Sequence, residues 1–596
     1  MKILAACSFD SAVLPSILAD NIIYRPDLAR KGKRFLSHAL LLLQPDVLVV
    51  DELPDEDVLA SWKIAMRSKN VSLVYLRKSD GDVKGEIAGV PIYICETLMS
   101  PEGEMQPFII AENLNRVELA SATTLYRVPQ KKLRSVIIVG GGIVNLISAY
   151  YLSKSDYKVT ILDASPDPRD SQHWSRYGCT RGGENARMFA LSEADNYNDK
   201  IVQDADANSL FRRTVSECGW DIRADRDSEL ESKWIREYEI VTPWLAKVFN
   251  DDILKFNAEA GPFWYQLIEA EPRLFHNVEL HHDIFRLYSD RVQFEQSLLR
   301  HAKLKSLRRA FIGDDVAEVC PALAEAYANH VIAGAMETVG FTLNIHNFVK
   351  NLIGYLEEHG VDCRYDEHIE TISRNRFGEV TGLESRHRWI EADHYLMSLG
   401  AYGHELLRGT RSSNQVHGVL GAWLVIPNLE PRLNNSLKIA RKGHITEDAN
   451  VTVAKDAAGN DILIIGSGYG YTGVNPTNID LDQLESMYRG VEDTARRFFP
   501  RGYEDAQNSG LLAQSRKYCV RPWTPTGLGI FEIMPAASGG YLIITGGHNT
   551  GGFTQAPAVA QAVLAAFEGR SHPMHQLYNP ERLHSFYLNM GDPLQL

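Results

Sequence analysis

The stretch from Ser135 to Asp163 constrains the fold more than any other part of the chain. Ser135-Val-Ile-Ile-Val139 reads as a buried strand and is followed directly by Gly140-Gly141-Gly142. A helix-like run from Ile143 to Leu152, a second strand from Lys158 to Leu162, and Asp163 complete the β-α-β order of a dinucleotide fold. Gly140 permits the tight turn, Gly142 lets the backbone approach a pyrophosphate, and the helix amino terminus offers it unpaired N–H groups. Asp163, 23 residues beyond Gly140, suits hydrogen bonds from an adenosine ribose. Asn145 stands where a third glycine or alanine is usual, which loosens helix-strand packing or places an amide near phosphate. A structural turn without a ligand is the plain alternative.

With 596 residues, the chain leaves room for further units on both sides of this segment. Lys and Arg total 62 against 76 Asp and Glu, a formal charge of −14, which argues against binding to nucleic acid or to an anionic membrane surface. An apolar share of 44% and a charged share of 23% describe an ordinary globular protein. No apolar run approaches the ~20 residues of a membrane span, and the run Ala39–Leu43 stops at Gln44. Leu4-Ala5-Ala6-Cys7 looks like a lipoprotein cleavage box, but the apolar run before it is too short for a signal peptide, so it reads as a first strand. The seven cysteines are scattered without disulfide or zinc spacing, which implies a reduced, cytoplasmic setting. Neither His281-His282-Asp283 nor His346 has metal-motif spacing, so no metal is expected. Nucleophile-elbow and Walker patterns are absent as well.

Residues 1–125 alternate apolar strands with amphipathic helices through Ile3–Cys7, Phe35–Leu43, Val47–Val50, Val58–Met66, Val71–Leu76 and Ile92–Ile94. That rhythm implies a small parallel α/β module, flavodoxin-like or half of a dinucleotide fold, covered on both faces. In its rhythm and in Pro45–Val50 it loosely resembles the amino-terminal lobe of D-2-hydroxyacid dehydrogenases. It has no glycine fingerprint and is assigned no activity. Residues 126–134, with Pro129, Lys131 and Lys132, read as a linker.

A second motif lies near the end of the chain. Tyr541–Thr545 reads as a strand, Gly546 to Thr554 as a glycine-rich turn, and Pro557 as the opening of a helix through Phe567 whose positive end could face an anion. The early dinucleotide unit, then Arg521-Pro522-Trp523-Thr524-Pro525-Thr526-Gly527-Leu528-Gly529, then Gly547-His548-Asn549-Thr550-Gly551-Gly552-Phe553-Thr554-Gln555-Ala556-Pro557, is similar to the D-amino-acid oxidase superfamily. The branch holding glycine oxidase, sarcosine oxidase and D-amino-acid dehydrogenases looks most similar, over roughly residues 133 to 570. The resemblance implies α/β and α+β architecture: a Rossmann-like FAD-binding domain from 135–194, 331–409 and 511–575, and a mixed-sheet substrate domain from 195–330 and 410–510.

It further implies FAD held by Gly140, Gly142, Asn145 and Asp163, by the turn Gly547, Asn549, Thr550, Gly551 and Gly552, and by an adenine contact from the backbone of Ile369. Gly400 closes the strand that returns to the nucleotide fold, after the helix Phe348–Leu356. Arg181 and Asn185 fall in a segment, Cys179–Arg187, where relatives carry a loop against the flavin; Arg187 replaces its glycine. Arg521 is the expected anchor for a substrate carboxylate, with a structural salt bridge as its plain alternative. Relatives pair that arginine with a tyrosine; none stands at Asn450-Val451-Thr452, which leaves Tyr469 and Tyr471 as substitutes or as packing residues. His548 is placed to stabilise negative charge beside the flavin or to make a turn hydrogen bond. Cys519 is either a point of flavin attachment or a buried small residue.

The implied activity is removal of a hydride equivalent from a carbon bearing an amine, giving an imine that water hydrolyses, with a small amine or amino acid as substrate and O2 or another acceptor. A homo-oligomer is compatible with this reading. The rivals are an NAD-linked dehydrogenase and a flavoprotein subunit that meets a partner through residues 1–125.

Overall fold

The computed structural model describes residues 1–67, 69–77, 84–96, 101–121, 134–170, 173–177, 188–194, 210–456 and 458–584. At the amino terminus, Ile3–Ala5, Ile22–Tyr24, Val47–Val50, Ser72–Arg77 and Val90–Glu96 form a parallel sheet, edged by the antiparallel strand Glu86–Ile87. The second strand lies outside the first, and the third, fourth and last follow on its other side, the order of a doubly wound parallel sheet. Every residue of Val47–Val50 is buried because both faces are covered. Helices Lys33–Leu43 and Glu56–Ala65 close one face around Trp62, and helix Pro101–Ser121 closes the other through Phe108.

The second core also takes in Trp244 and Val248 from helix Pro243–Ala270, outside the module. The Trp244 indole donates to the Ile17 carbonyl at 3.0 Å. Beside it, the buried carboxylate of Asp252 receives Arg116 at 2.6 Å and Arg582 at shorter range, and Arg582 also approaches Glu112 at 3.6 Å. The module is therefore bolted to the rest of the chain by core packing and buried charge. Most of the expected linker, residues 126–133, lies outside the described residues.

The nucleotide unit has the parallel order Asp362–Arg364, Lys158–Leu162, Ser135–Val139, His394–Met397 and Tyr541–Gly546, with Ile530–Pro535 antiparallel at the edge. Helices Ile143–Lys154, Ile345–Glu358 and Gly552–Phe567 pack on one face. A three-stranded antiparallel sheet, Ile369–Arg374, Val380–Ser385 and Trp389–Ile390, supplies Ile369, Val380 and Leu383 to the other. Helix Pro243–Ala270, expected in the substrate domain, contributes Phe249, Phe256 and Trp264 to this core instead.

A mixed sheet forms the third unit, running Leu307–Phe311, Gly334–Thr342, His281–Tyr288, Leu437–Ala440, Asp448–Lys455, Asp461–Gly473, His417–Pro427 and Lys517–Trp523, with Met188–Ala190 also on Gly334–Thr342. This corrects three expected boundaries: Met188–Ala190, Gly334–Thr342 and Lys517–Trp523 belong here, not to the nucleotide unit. Their antiparallel pairing with distant strands leaves no trace in the local pattern. Leu437, Ile439, Val451, Ile465 and Leu424 point to one face, under Val491, Ala495 and Phe498 of helix Leu481–Phe498. Alternation turns their neighbours, Lys438, Asn450, Gly466 and Trp423, to the other face, together with Arg521. No described helix is long and apolar enough to cross a membrane.

Candidate active site

At the first glycine turn the backbone leaves no room for a side chain. Gly140 has φ +102°, and a Cβ there would lie 2.5 Å from the Ser398 carbonyl oxygen. The Gly141 N–H donates to one Asp163 carboxylate oxygen, and Ser165 N–H donates to the other at 2.6 Å. Burial raises the Asp163 carboxyl above the usual range, with these two bonds opposing it. Helix Ile143–Lys154 starts at Gly142 with no side-chain cap and no acid in its first turn, so its leading N–H groups are open to an anion. Glu367 N–H binds the Asp163 carbonyl at 2.9 Å and brings the buried Ile369 backbone to the end of this strand.

Asn145 corrects the expectation of an amide near phosphate. Fully buried, it donates from Nδ2 to the Val139 and Gly140 carbonyls, each at 2.8 Å, and so fastens the turn itself. Gly400, at φ +61°, follows the Ser398 loop, whose N–H donates to Val139 at 3.3 Å.

The second turn is held from both sides. Asn549, at φ +54°, donates its N–H to the Pro522 carbonyl at 3.1 Å and its amide to Gly527 at 2.8 Å. A Cβ on Gly547, at φ +64°, would fall 2.3 Å from Thr524 Cγ2. Thr550 donates to Glu193 Oε1 at 2.9 Å, and a Cβ on Gly551 would lie 2.9 Å from that of Ala194. The following helix begins at Gly552, earlier than the expected Pro557, which sits inside it. It too lacks a side-chain cap and a first-turn acid. A Cβ on Gly552 would lie 3.8 Å from Val144 Cγ2, so the two open helix amino termini meet. Two converging positive helix ends, glycines that admit no side chain and a strand-end carboxylate fit a diphosphate-linked dinucleotide.

Arg521 lies on the last strand of the mixed sheet, whose next residue, Pro522, is bonded to the second turn. Its Nη2 donates to the Gly468 carbonyl at 2.6 Å, its guanidinium lies 5.3 Å from the Tyr469 ring centre, and no carboxylate pairs with it among the described residues. Tyr469 stacks on Trp220 at 4.6 Å, and Trp523 meets both edge-on. Tyr471 is a correction. It is buried against Phe211 and Trp234, and its hydroxyl and His417 Nδ1 are 2.7 Å apart, so it serves packing. Cys519 is buried with Trp423, Val425 and Ile464 in an apolar cluster. Arg181 and Asn185 lie outside the described residues.

His548 makes the turn hydrogen bond that was one of its two expected roles. Its ring is buried, Nε2 is 3.2 Å from Thr545 Oγ1, and burial pushes its pKa down to about 4. Burial does the same to His394 and His575, to about 4 each, and to His301, to about 3. These rings are neutral when folded and take up protons on unfolding below pH ~6.5. Their stabilising contribution is full above that pH and is lost as pH falls through the folded values, at about 1.4 kcal/mol per pH unit for each. The unfolding midpoint is therefore expected to fall steeply between pH 6.5 and 4, and a midpoint equal at pH 7 and pH 5 would contradict this burial.

Sequence reasoning missed Trp220, Glu193, Lys438 and Arg286, none of which sits in a motif. Only strand register and a turn bring them to this face.

Two helix ends, two glycine turns and a mixed sheet over them define a dinucleotide-dependent oxidoreductase. The family model described as FAD dependent oxidoreductase (DAO) matches residues 135–566, and the chain belongs to that family. FAD, not NAD, is therefore its cofactor; the residues that could hold it are those of the two glycine turns, Asp163 and the Ile369 backbone. Similar solved structures include fructosamine oxidase (Amadoriase II) from Aspergillus fumigatus, at 13% identity and TM-score 0.50, covering 76% of this chain and 92% of that one. Iminodiacetate oxidase from Chelativorans sp. BNC1 matches at 14% identity and TM-score 0.49, over 75% and 98%. Glycine oxidase from Geobacillus kaustophilus matches at 16% and 0.47, over 74% and 96%.

Proposed function

We propose that the chain oxidises the C–N bond of a small amine or amino acid whose carboxylate is clamped by Arg521, with O2 as acceptor. The observation that carries this reading is a half-buried guanidinium without a carboxylate partner among the described residues, one residue from the bond that ties its strand to the second glycine turn. A planar fork suits bidentate carboxylate binding, and the Gly468 carbonyl and Tyr469 ring hold it in place beforehand. Tyr469, Trp220 and Trp523 wall the site and exclude water from the substrate's carbon. FAD, when bound, supplies the electron sink. The protein's share is orientation, so no dedicated base is required.

The test is an anaerobic titration of the purified holoenzyme with separate pools of D-amino acids, L-amino acids and N-methylated glycines, followed in the visible spectrum. Bleaching of the flavin band by one pool is expected. A flavin that no pool bleaches would remove the amine assignment.

A further inference from the structure

The outer face of the amino-terminal module carries a pattern that the catalytic units do not use. Helices Lys33–Leu43 and Glu56–Ala65 lie side by side over its sheet, on the face opposite helix Pro101–Ser121, through which the module is bolted to the rest of the chain. Each connects parallel strands and so runs against them, which makes the two helices parallel to each other. Lys33 pairs with Asp57 at 2.6 Å and with Asp55 at 3.1 Å, which sets their first turns level.

Burial fixes the rotation of each helix. Ala39 and Leu40 turn to the core from one, and Val58, Leu59 and Trp62 from the other. The outward stripes are then Arg34, His38 and Leu41 on the first helix, and Asp57, Ser61 and Ile64 on the second, all six exposed. Both stripes follow the spacing i, i+4, i+7 from level starts, so a cation lies level with an anion, an imidazole with a hydroxyl, and a leucine with an isoleucine. Phe35 and Leu42 flank them, and Phe35, Leu41, Leu42 and Ile64 are 58%, 45%, 72% and 76% exposed. Together they leave about 450 Å² of apolar surface in water, the size that marks a contact surface. That matches the apolar share, a little over half, of a standard interface of ~800 Å² per partner.

We propose that this face is the contact of a homodimer whose two-fold axis runs parallel to the helices. Such an axis lays the first helix of each copy along the second helix of the other, in the same direction. Arg34 then meets the partner subunit's Asp57, His38 the partner subunit's Ser61, and Leu41 the partner subunit's Ile64, each pair occurring twice. The face supplies both halves of its own complement, which selects a second copy over a foreign partner. Arg34 makes no ion pair among the described residues, and Lys33 keeps Asp55 when Asp57 is shared. Each module meets its own catalytic units on the opposite face, so the contact leaves them on the outside of the dimer.

Sedimentation velocity of the full-length holoenzyme over a concentration series tests this. A dimer with Kd of about 1 μM or tighter is expected. Ile64→Asp, at a position already in water in the monomer, should leave the unfolding midpoint of dilute protein unchanged and weaken the dimer by roughly 100-fold or more, because it buries two unpaired carboxylates in the contact. Arg34→Glu and Asp57→Lys should each weaken it roughly 10–100-fold, and the two together should return it to within about tenfold of wild type, because the exchanged pair re-forms across the axis. A monomer at every concentration, or a dimer that Ile64→Asp leaves intact, would overturn the contact. A dimer that Ile64→Asp breaks but the double exchange fails to restore would overturn the two-fold pairing.

Discussion

Arg521→Met is expected to lower kcat/KM for the amine substrate by roughly 10²–10³-fold while the visible spectrum still reports bound flavin. The size follows from removing one partner of a desolvated, charge-assisted pair, which costs about 2–5 kcal/mol. The substrate carboxylate would then meet the Gly468 carbonyl and the aromatic wall of Tyr469 and Trp220 with no cation to receive it. Arg521→Lys should recover part of the loss, because it restores a point charge without the planar fork. The effect should lie mainly in KM if the clamp acts equally in ground and transition states, and in kcat if it aligns the reacting C–H. A variant with intact flavin and kcat/KM within threefold of wild type would return Arg521 to a structural role.

The second large effect concerns the amino-terminal module. Asp252→Ala should destabilise the protein by about 3–5 kcal/mol, because it removes the shared counter-charge of Arg116 and Arg582 and leaves Arg116 only the half-exposed Asp251 at 4.0 Å. Glu112 approaches Arg582 only at 3.6 Å, and burial raises its own carboxyl, so it is a poor replacement. Denaturant unfolding should show an early transition assignable to residues 1–121 in the variant and absent from the wild type. Replacing Arg116, Asp252 and Arg582 together by leucine should lose much less, since an apolar trio leaves no buried charge unpaired. A single transition in Asp252→Ala with an unchanged midpoint would show that core packing around Trp244 suffices.

The nucleotide end of the site was legible because its signals are local. A strand, a glycine turn, a helix and an acid fall within residues 135–163, and each residue type answers a backbone requirement that the turn at Gly140 displays. Arg521 was legible from its own motif. Glu193 and Lys438 were not, since 245 residues separate the two ends of their ion pair and only the sheet brings them together. The start of helix Gly552–Phe567 was misplaced because Pro557 looks like a first-turn proline, whereas the chain turns helical at Gly552. Helix Pro101–Ser121 escaped notice for a physical reason. One side packs on its sheet through Phe108 while Glu112 and Arg116 enter a buried charge network, so apolar periodicity is weak.

Helix Pro243–Ala270 separates the unit of inheritance from the unit of folding. Trp244 near its start is embedded in the amino-terminal core, and Trp264, about 30 Å along the axis, donates to the Thr554 carbonyl in the first turn of the glycine helix. The family match begins at residue 135, yet a chain cut there would bare Trp244 and Val248 and leave Asp252 without Arg116. Homology draws a boundary where packing has none, and anyone trimming this protein to its recognisable part would be cutting through a core.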